Sequence, residues 1–119
     1  MEVRSREQAE AFTTLDGSTI RVLFDARFGG ALEQSLAEAT LAAGARTRRH
    51  YHARAEEIYV VLEGFGRMEV DGDERDVGRG DAVLIPPQAW HEIRAGTGCE
   101  LRFLCCCAPH YSDEDTFFE

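Results

Sequence analysis

Glycine recurs through this chain at intervals too short to leave room for a long helix. Gly17, Gly29-Gly30, Gly44, Gly64, Gly66, Gly72, Gly78, Gly80, Gly96 and Gly98 cut it into segments of strand length, and many short segments between turn signals point to an all-β sandwich or barrel. Between the cuts lie runs rich in β-formers at 19–24, 58–62, 67–70, 82–85 and 101–107. Asp71-Gly72-Asp73 reads as a hairpin turn, because Asp-Gly suits the positive φ values of tight two-residue loops. Pro86-Pro87 ends the run at 82–85, since proline cannot donate to a strand ladder.

The segment 31–43 pulls the other way. It is rich in Ala, Leu and Glu, with Leu32, Leu36 and Ala39 at helical spacing. Helix propensity is a weak prior, and a lone central helix fits poorly among short strands. We therefore expect a strand over 34–41. Ser112 can cap a short helical turn led by Asp113, Glu114 and Asp115. Phe117 and Phe118 can pin that turn to the body, or the terminus can be frayed.

At 119 residues the chain suits one domain around one core. With 44% hydrophobic and 29% charged residues, and no apolar run near the ~20 residues of a membrane helix, neither disorder nor membrane spanning is expected. The 13 basic residues stand against 22 acidic ones, for a net charge of -9. That balance disfavours nucleic acid and anionic membranes as partners. All basic residues are arginine, so lysine Schiff-base chemistry is excluded. Met1 to Glu10 does not read as a secretory signal, and a cytoplasmic location is expected. Cys99, Cys105, Cys106 and Cys107 lack the spacing of a disulfide framework and read as buried, inert strand thiols, Cys105 and Cys107 on one face and Cys106 on the other.

Two of the four histidines stand as His50-Tyr51-His52, so a strand would present both imidazoles on one face. Glu56 and Glu57 follow at the start of an apolar run, and His91 follows the proline loop. Imidazole nitrogen with carboxylate oxygen suits Fe, Mn, Co, Ni, Cu or Zn over Ca or Mg. Arg48 shares the strand face of His50 and His52 and is a candidate clamp for a substrate carboxylate or phosphate inside the barrel, or an arginine at the solvated barrel mouth. Tyr59 and Trp90 are candidate pocket walls, each joining an apolar face to a donor. His110 is expected to be exposed.

Written out, Gly44, five residues, His50-x-His52, four residues, Glu57, six residues and Gly64 coincides without a gap with the first signature motif of the cupins. Gly80, Pro86 and His91 take their places in the second motif, which has glycine and asparagine where this chain has Gln88 and Ala95. The sequence therefore resembles a small single-domain cupin of RmlC-like type. The resemblance implies a jelly-roll double-stranded β-helix barrel over about 19–108, with an N-terminal arm at 1–18 and a tail at 109–119. It further implies that His50, His52, Glu57 and His91 converge on one divalent transition metal (Fe, Mn, Ni, Co, Cu or Zn).

Motif spacing favours Glu57 over Glu56 as the ligand. If Glu57 faces inward, Tyr59, Val61 and Glu63 share its face, and Ile58, Val60 and Leu62 face outward as packing or subunit contacts. The function expected is a metal-dependent enzyme, of oxygenase, isomerase or lyase type, acting on a small oxygen-rich molecule. The alternatives are a non-catalytic ligand-binding or sensing module with a structural metal, and a structural dimer whose ligand set is unused. A homodimer is expected.

Overall fold

The short apolar runs become strands because each can bury alternate residues against a second layer. The computed structural model describes residues 1–119 as two antiparallel sheets facing each other. The strands are β1 (Phe12–Thr13), β2 (Thr19–Phe24), β3 (Ser35–Leu41), β4 (His50–His52), β5 (Glu56–Glu63), β6 (Phe65–Val70), β7 (Asp73–Gly78), β8 (Ala82–Ile85), β9 (His91–Ala95), β10 (Leu101–Ala108) and β11 (Thr116–Phe118). One sheet has the order β1-β2-β3-β10-β5-β8, the other β11-β4-β9-β6-β7. From β3 onward the chain passes back and forth between the two sheets, closing a jelly-roll barrel. No helix is long and apolar enough to cross a membrane.

Tertiary pairing decides the ambiguous segment. β3 is hydrogen-bonded to β2 on one side and to β10 on the other, so the strand expected over 34–41 forms despite its helical composition. The Asp71-Gly72 hairpin also forms. Both residues have positive φ, 49° and 87°, and Val70 pairs with Asp73 across a two-residue loop.

The interior is divided along the strands. At one end Leu41, Val61, Met68, Ile93, Ala95 and Leu101 fill the space between the sheets as a dry plug. Each of the larger side chains contributes roughly 1.5–3 kcal/mol by leaving water. Gly66 lies where β6 passes β9, and a Cβ there would collide with the Arg94 carbonyl oxygen. Toward the other end, the inward positions of the same strands turn polar. β9 runs from Ala95 and Ile93 to His91, β5 from Val61 and Tyr59 to Glu57, and β10 from Leu101 and Phe103 to Cys107, all buried. The plug thus closes the barrel below a polar chamber.

One detail departs from expectation. Glu63 does not share the inner face of Glu57, because a bulge between Arg102 and Phe103 in the β10 pairing shifts the register there. Its carboxylate is turned outward, 2.8 Å from Arg102. Of the two readings of the tail, the short turn pinned by Phe117 and Phe118 is the one that forms. A single 3-10 turn at Asp113–Asp115 leads into β11, which pairs with β4 from Thr116↔His52 to Phe118↔His50. Ser112 occupies the cap position of that turn without a side-chain capping bond.

Candidate metal centre

Period-two alternation brings the four ligand candidates together. His50 and His52 point inward from β4 while Tyr51 points out, stacked on Phe117 and edge-on to Trp90. His91 opens β9 directly opposite His50, and Glu57 enters from the facing sheet on β5. One ligand atom from each of the four lies within 4.8 Å of all the others, and all four residues are buried. Glu56, the other carboxylate considered, is exposed.

The hydrogen bonds around the cluster set its chemistry. His50 Nδ1 donates to the Arg48 carbonyl at 2.7 Å, and His91 Nδ1 donates to the Ala89 carbonyl at 2.9 Å. A carbonyl only accepts, so in both rings the Nε2 atom carries the lone pair. The Thr116 hydroxyl donates to the Ser112 carbonyl, which leaves its oxygen to accept from His52 Nδ1 at 3.1 Å. His52 is thereby fixed in the same tautomer. Three imidazole lone pairs and a carboxylate therefore face one another.

His52 Nε2 lies 3.2 Å and His91 Nε2 3.4 Å from Glu57 Oε1, and the wholly buried His91 Nε2 has no hydrogen-bond partner. Four acceptors with no donor between them are unfavourable by themselves, and a cation at their centre satisfies all four at once. The residues fit a divalent transition ion on the chemistry of their donors. Burial, reinforced by the neighbouring His91 and His52, pushes the His50 imidazole down to about 4, so it is a neutral ligand at pH 7. Burial acts to raise the Glu57 carboxyl, but positive charge placed at the facing His52 and His91, on the rings or as a cation between them, offsets this and holds it below the usual carboxylate range.

The cluster opens onto a cavity of about 420 Å³. Its inner wall is Tyr59, Phe103, Cys105 and Cys107, and its mouth is built from residues 12–16, 25–27 and 110–114. Burial raises the Tyr59 hydroxyl and the Cys105 thiol well above their ordinary values, so both stay protonated. Asp16 also lines the cavity. Its Oδ1 accepts from the Ser18 amide at 2.9 Å and the Ser18 hydroxyl at 2.6 Å, and its Oδ2 has no hydrogen-bond partner within the protein.

Of the three pocket candidates, only Tyr59 lines this cavity. β4 begins at His50, and ahead of it the alternation breaks, with Thr47 buried and Arg48 exposed. The Arg48 guanidinium lies 4.2 Å from the Phe118 ring centroid, beside a shallow outer depression shared with Arg46 and Arg49. Trp90, one residue before His91, takes the opposite face and packs against Tyr51 and the Arg49 guanidinium. His110 is not exposed as expected: it is half-buried and lines the cavity. Sequence reading missed Asp16, Thr116 and the pairing of Cys107 with Glu57. Only the inward alternation of Cys105 and Cys107 hinted at the last.

Gln88 stands where the second motif has glycine, and it adopts the glycine-like backbone, φ 68°. Its amide donates to the His52 carbonyl at 2.7 Å, which ties the proline loop to β4 and helps place His91.

Residues 37–107 match the family described as Cupin domain. An uncharacterised protein of Methanocaldococcus jannaschii is 41% identical over 110 residues, covering 92% of this chain and 88% of that protein. Among solved structures, the polyketide cyclase RemF from Streptomyces resistomycificus is 26% identical with a TM-score of 0.78, covering 97% of this chain and 89% of that one. The Streptomyces nucleoside dehydratase Pac13 superposes with a TM-score of 0.82 over 100% of this chain and 91% of that one, at 15% identity. With both signature motifs folded onto one buried cluster and a family match over most of the barrel, this chain belongs to the cupin family.

Proposed function

We propose that this cupin is a metal-dependent enzyme that moves a proton on a small, neutral, oxygen-rich substrate, an isomerase or lyase in reaction type. The observation that carries the reading is the convergence of four lone-pair donors at the inner end of a solvent-accessible cavity. Three imidazoles and one carboxylate leave two positions of a six-coordinate ion unfilled by protein, which suits catalysis better than a closed structural site such as tetrahedral zinc. A divalent ion bound by His50, His52, Glu57 and His91 supplies Lewis acidity toward a substrate carbonyl or hydroxyl oxygen.

The remaining steps fall to the chain's own side chains. Ile20, Val22, Ala39 and Phe103 offer an apolar wall for the body of the substrate. Tyr59, held protonated, donates a hydrogen bond to a substrate oxygen. Asp16 Oδ2, free while Oδ1 is locked by Ser18, accepts the proton. The one guanidinium lining the cavity, Arg27, is engaged by Asp25 at 3.2 Å. Asp16, Asp25, Asp113 and Glu114 also face it. A phosphate or carboxylate finds no free clamp there, which favours ketones, phenols and neutral hydroxylated rings. RemF, a polyketide cyclase, and Pac13, a nucleoside dehydratase, are named for chemistry on substrates of that kind.

The test is turnover of metal-loaded protein against β-diketones, polyhydroxylated aromatics and nucleosides. Activity on at least one class, abolished in His50→Ala and strongly reduced in Asp16→Asn with the metal retained, supports the reading. Activity unchanged in His50→Ala refutes it.

We also propose a homodimer through the outer face of the larger sheet. Phe24, Leu36, Cys106, Ile58 and Leu84 form a cross-strand row there by register, with Ile58 and Leu84 exposed. A monomeric mass by light scattering at micromolar concentration contradicts it.

A further inference from the structure

Glu57 and Cys107 are direct cross-strand partners on β5 and β10, and both side chains are buried on the inner face. The Cys107 thiol donates to Glu57 Oε2 across 3.0 Å. The other carboxylate oxygen, Oε1, is the one turned toward the Nε2 atoms of His52 and His91. The partnerless, wholly buried His91 Nε2 belongs to the same cluster. The two oxygens of one carboxylate are thus assigned to different partners, one to a protein donor and one to the ligand cluster.

We infer that Cys107 is a positioning residue of the metal site: it holds Glu57 to coordination through a single oxygen and so keeps one further position of the ion open to substrate. The inference rests on the metal-site reading above. A carboxylate binds a cation through one oxygen or through both, and a hydrogen bond to the second oxygen selects the one-oxygen mode. The four side chains then supply four donor atoms. A six-coordinate ion keeps two positions, enough for a substrate that binds through two neighbouring oxygens. With Oε2 released, Glu57 can take one of them.

The experiment loads wild type, Cys107→Ala and Cys107→Ser with Co(II). It measures metal content, records the visible absorption band, and titrates acetohydroxamate as a two-oxygen probe. The expected result is a shifted visible band in Cys107→Ala, as a second carboxylate oxygen takes one of the two open positions, and hydroxamate binding weaker by about tenfold or more. Cys107→Ser, whose hydroxyl still donates, keeps the wild-type band. Cys107→Val, which fills the space without a donor, replaces the alanine variant if that one does not fold.

An identical band and hydroxamate affinity in all variants overturns the role of Cys107 alone. Cys107→Ser altered as much as Cys107→Ala assigns the effect to packing and also overturns it. Folded wild type that takes up no Co(II) overturns the metal-site reading and this inference with it.

Discussion

Acidifying the metal-free protein from pH 7 to pH 4 will remove about 3 kcal/mol of folding stability through His50 alone. In the unfolded chain this imidazole takes up its proton near 6.5, whereas in the folded barrel burial and the adjacent rings hold it off until about 4. Between those values the unfolded state binds more protons, so stability falls as pH falls. The gap is about two and a half pH units, and each corresponds to about 1.4 kcal/mol. His50 is only 3% exposed, so solvent screening takes little from that figure. The assay is urea unfolding in chelator at several pH values between 7 and 4, followed by the fluorescence of Trp90, the one tryptophan. Other groups titrate in the same range, so the decisive quantity is the difference from His50→Gln. Its curve is expected to be flatter by about 3 kcal/mol over the same window. Parallel curves for the two proteins would refute the reasoning.

Two further substitutions probe the frame of the site. Gln88→Gly is expected to raise stability by about 0.5–1 kcal/mol, because a non-glycine residue at φ 68° carries a steric cost that glycine avoids; lower stability in urea would contradict it. Asp115 accepts from the Arg54 and Ala55 amides at 2.9 and 3.0 Å, so Asp115→Ala is expected to cost about 1–2 kcal/mol. It will also weaken metal binding, because the tail it anchors carries Thr116, the partner of His52 Nδ1; unchanged affinity in a metal titration would contradict that link.

Legibility followed the range of the interactions involved. Period-two alternation from Glu57 to Val61 and from His50 to His52 is local, so the inward faces could be read from the residues themselves. The signature spacing then joined strands far apart in sequence, which local patterning cannot do. Arg48 was misplaced because alternation was extended past the true start of β4, where one irregular step exchanges the faces. Trp90 follows the same rule in reverse, since its neighbour His91 takes the inner face. The tail gave away its short turn at Asp113–Asp115 but not the strand that follows it. β11 exists because β4 offers it an edge, and that pairing turns His110 and Thr116 toward the site from a segment that reads as polar and terminal. The Cys107–Glu57 bond spans 50 residues and depends on the register between β5 and β10.

Metal content decides whether four converging acceptors mark a working centre. Untagged wild type and the His50→Ala, His52→Ala double variant, both purified without chelator, are to be compared by elemental analysis. The structure predicts close to one equivalent of a single transition metal in the wild type and none in the variant. Absence of metal from folded wild type, even after reconstitution, would contradict it and leave the cluster without the cation its lone pairs require.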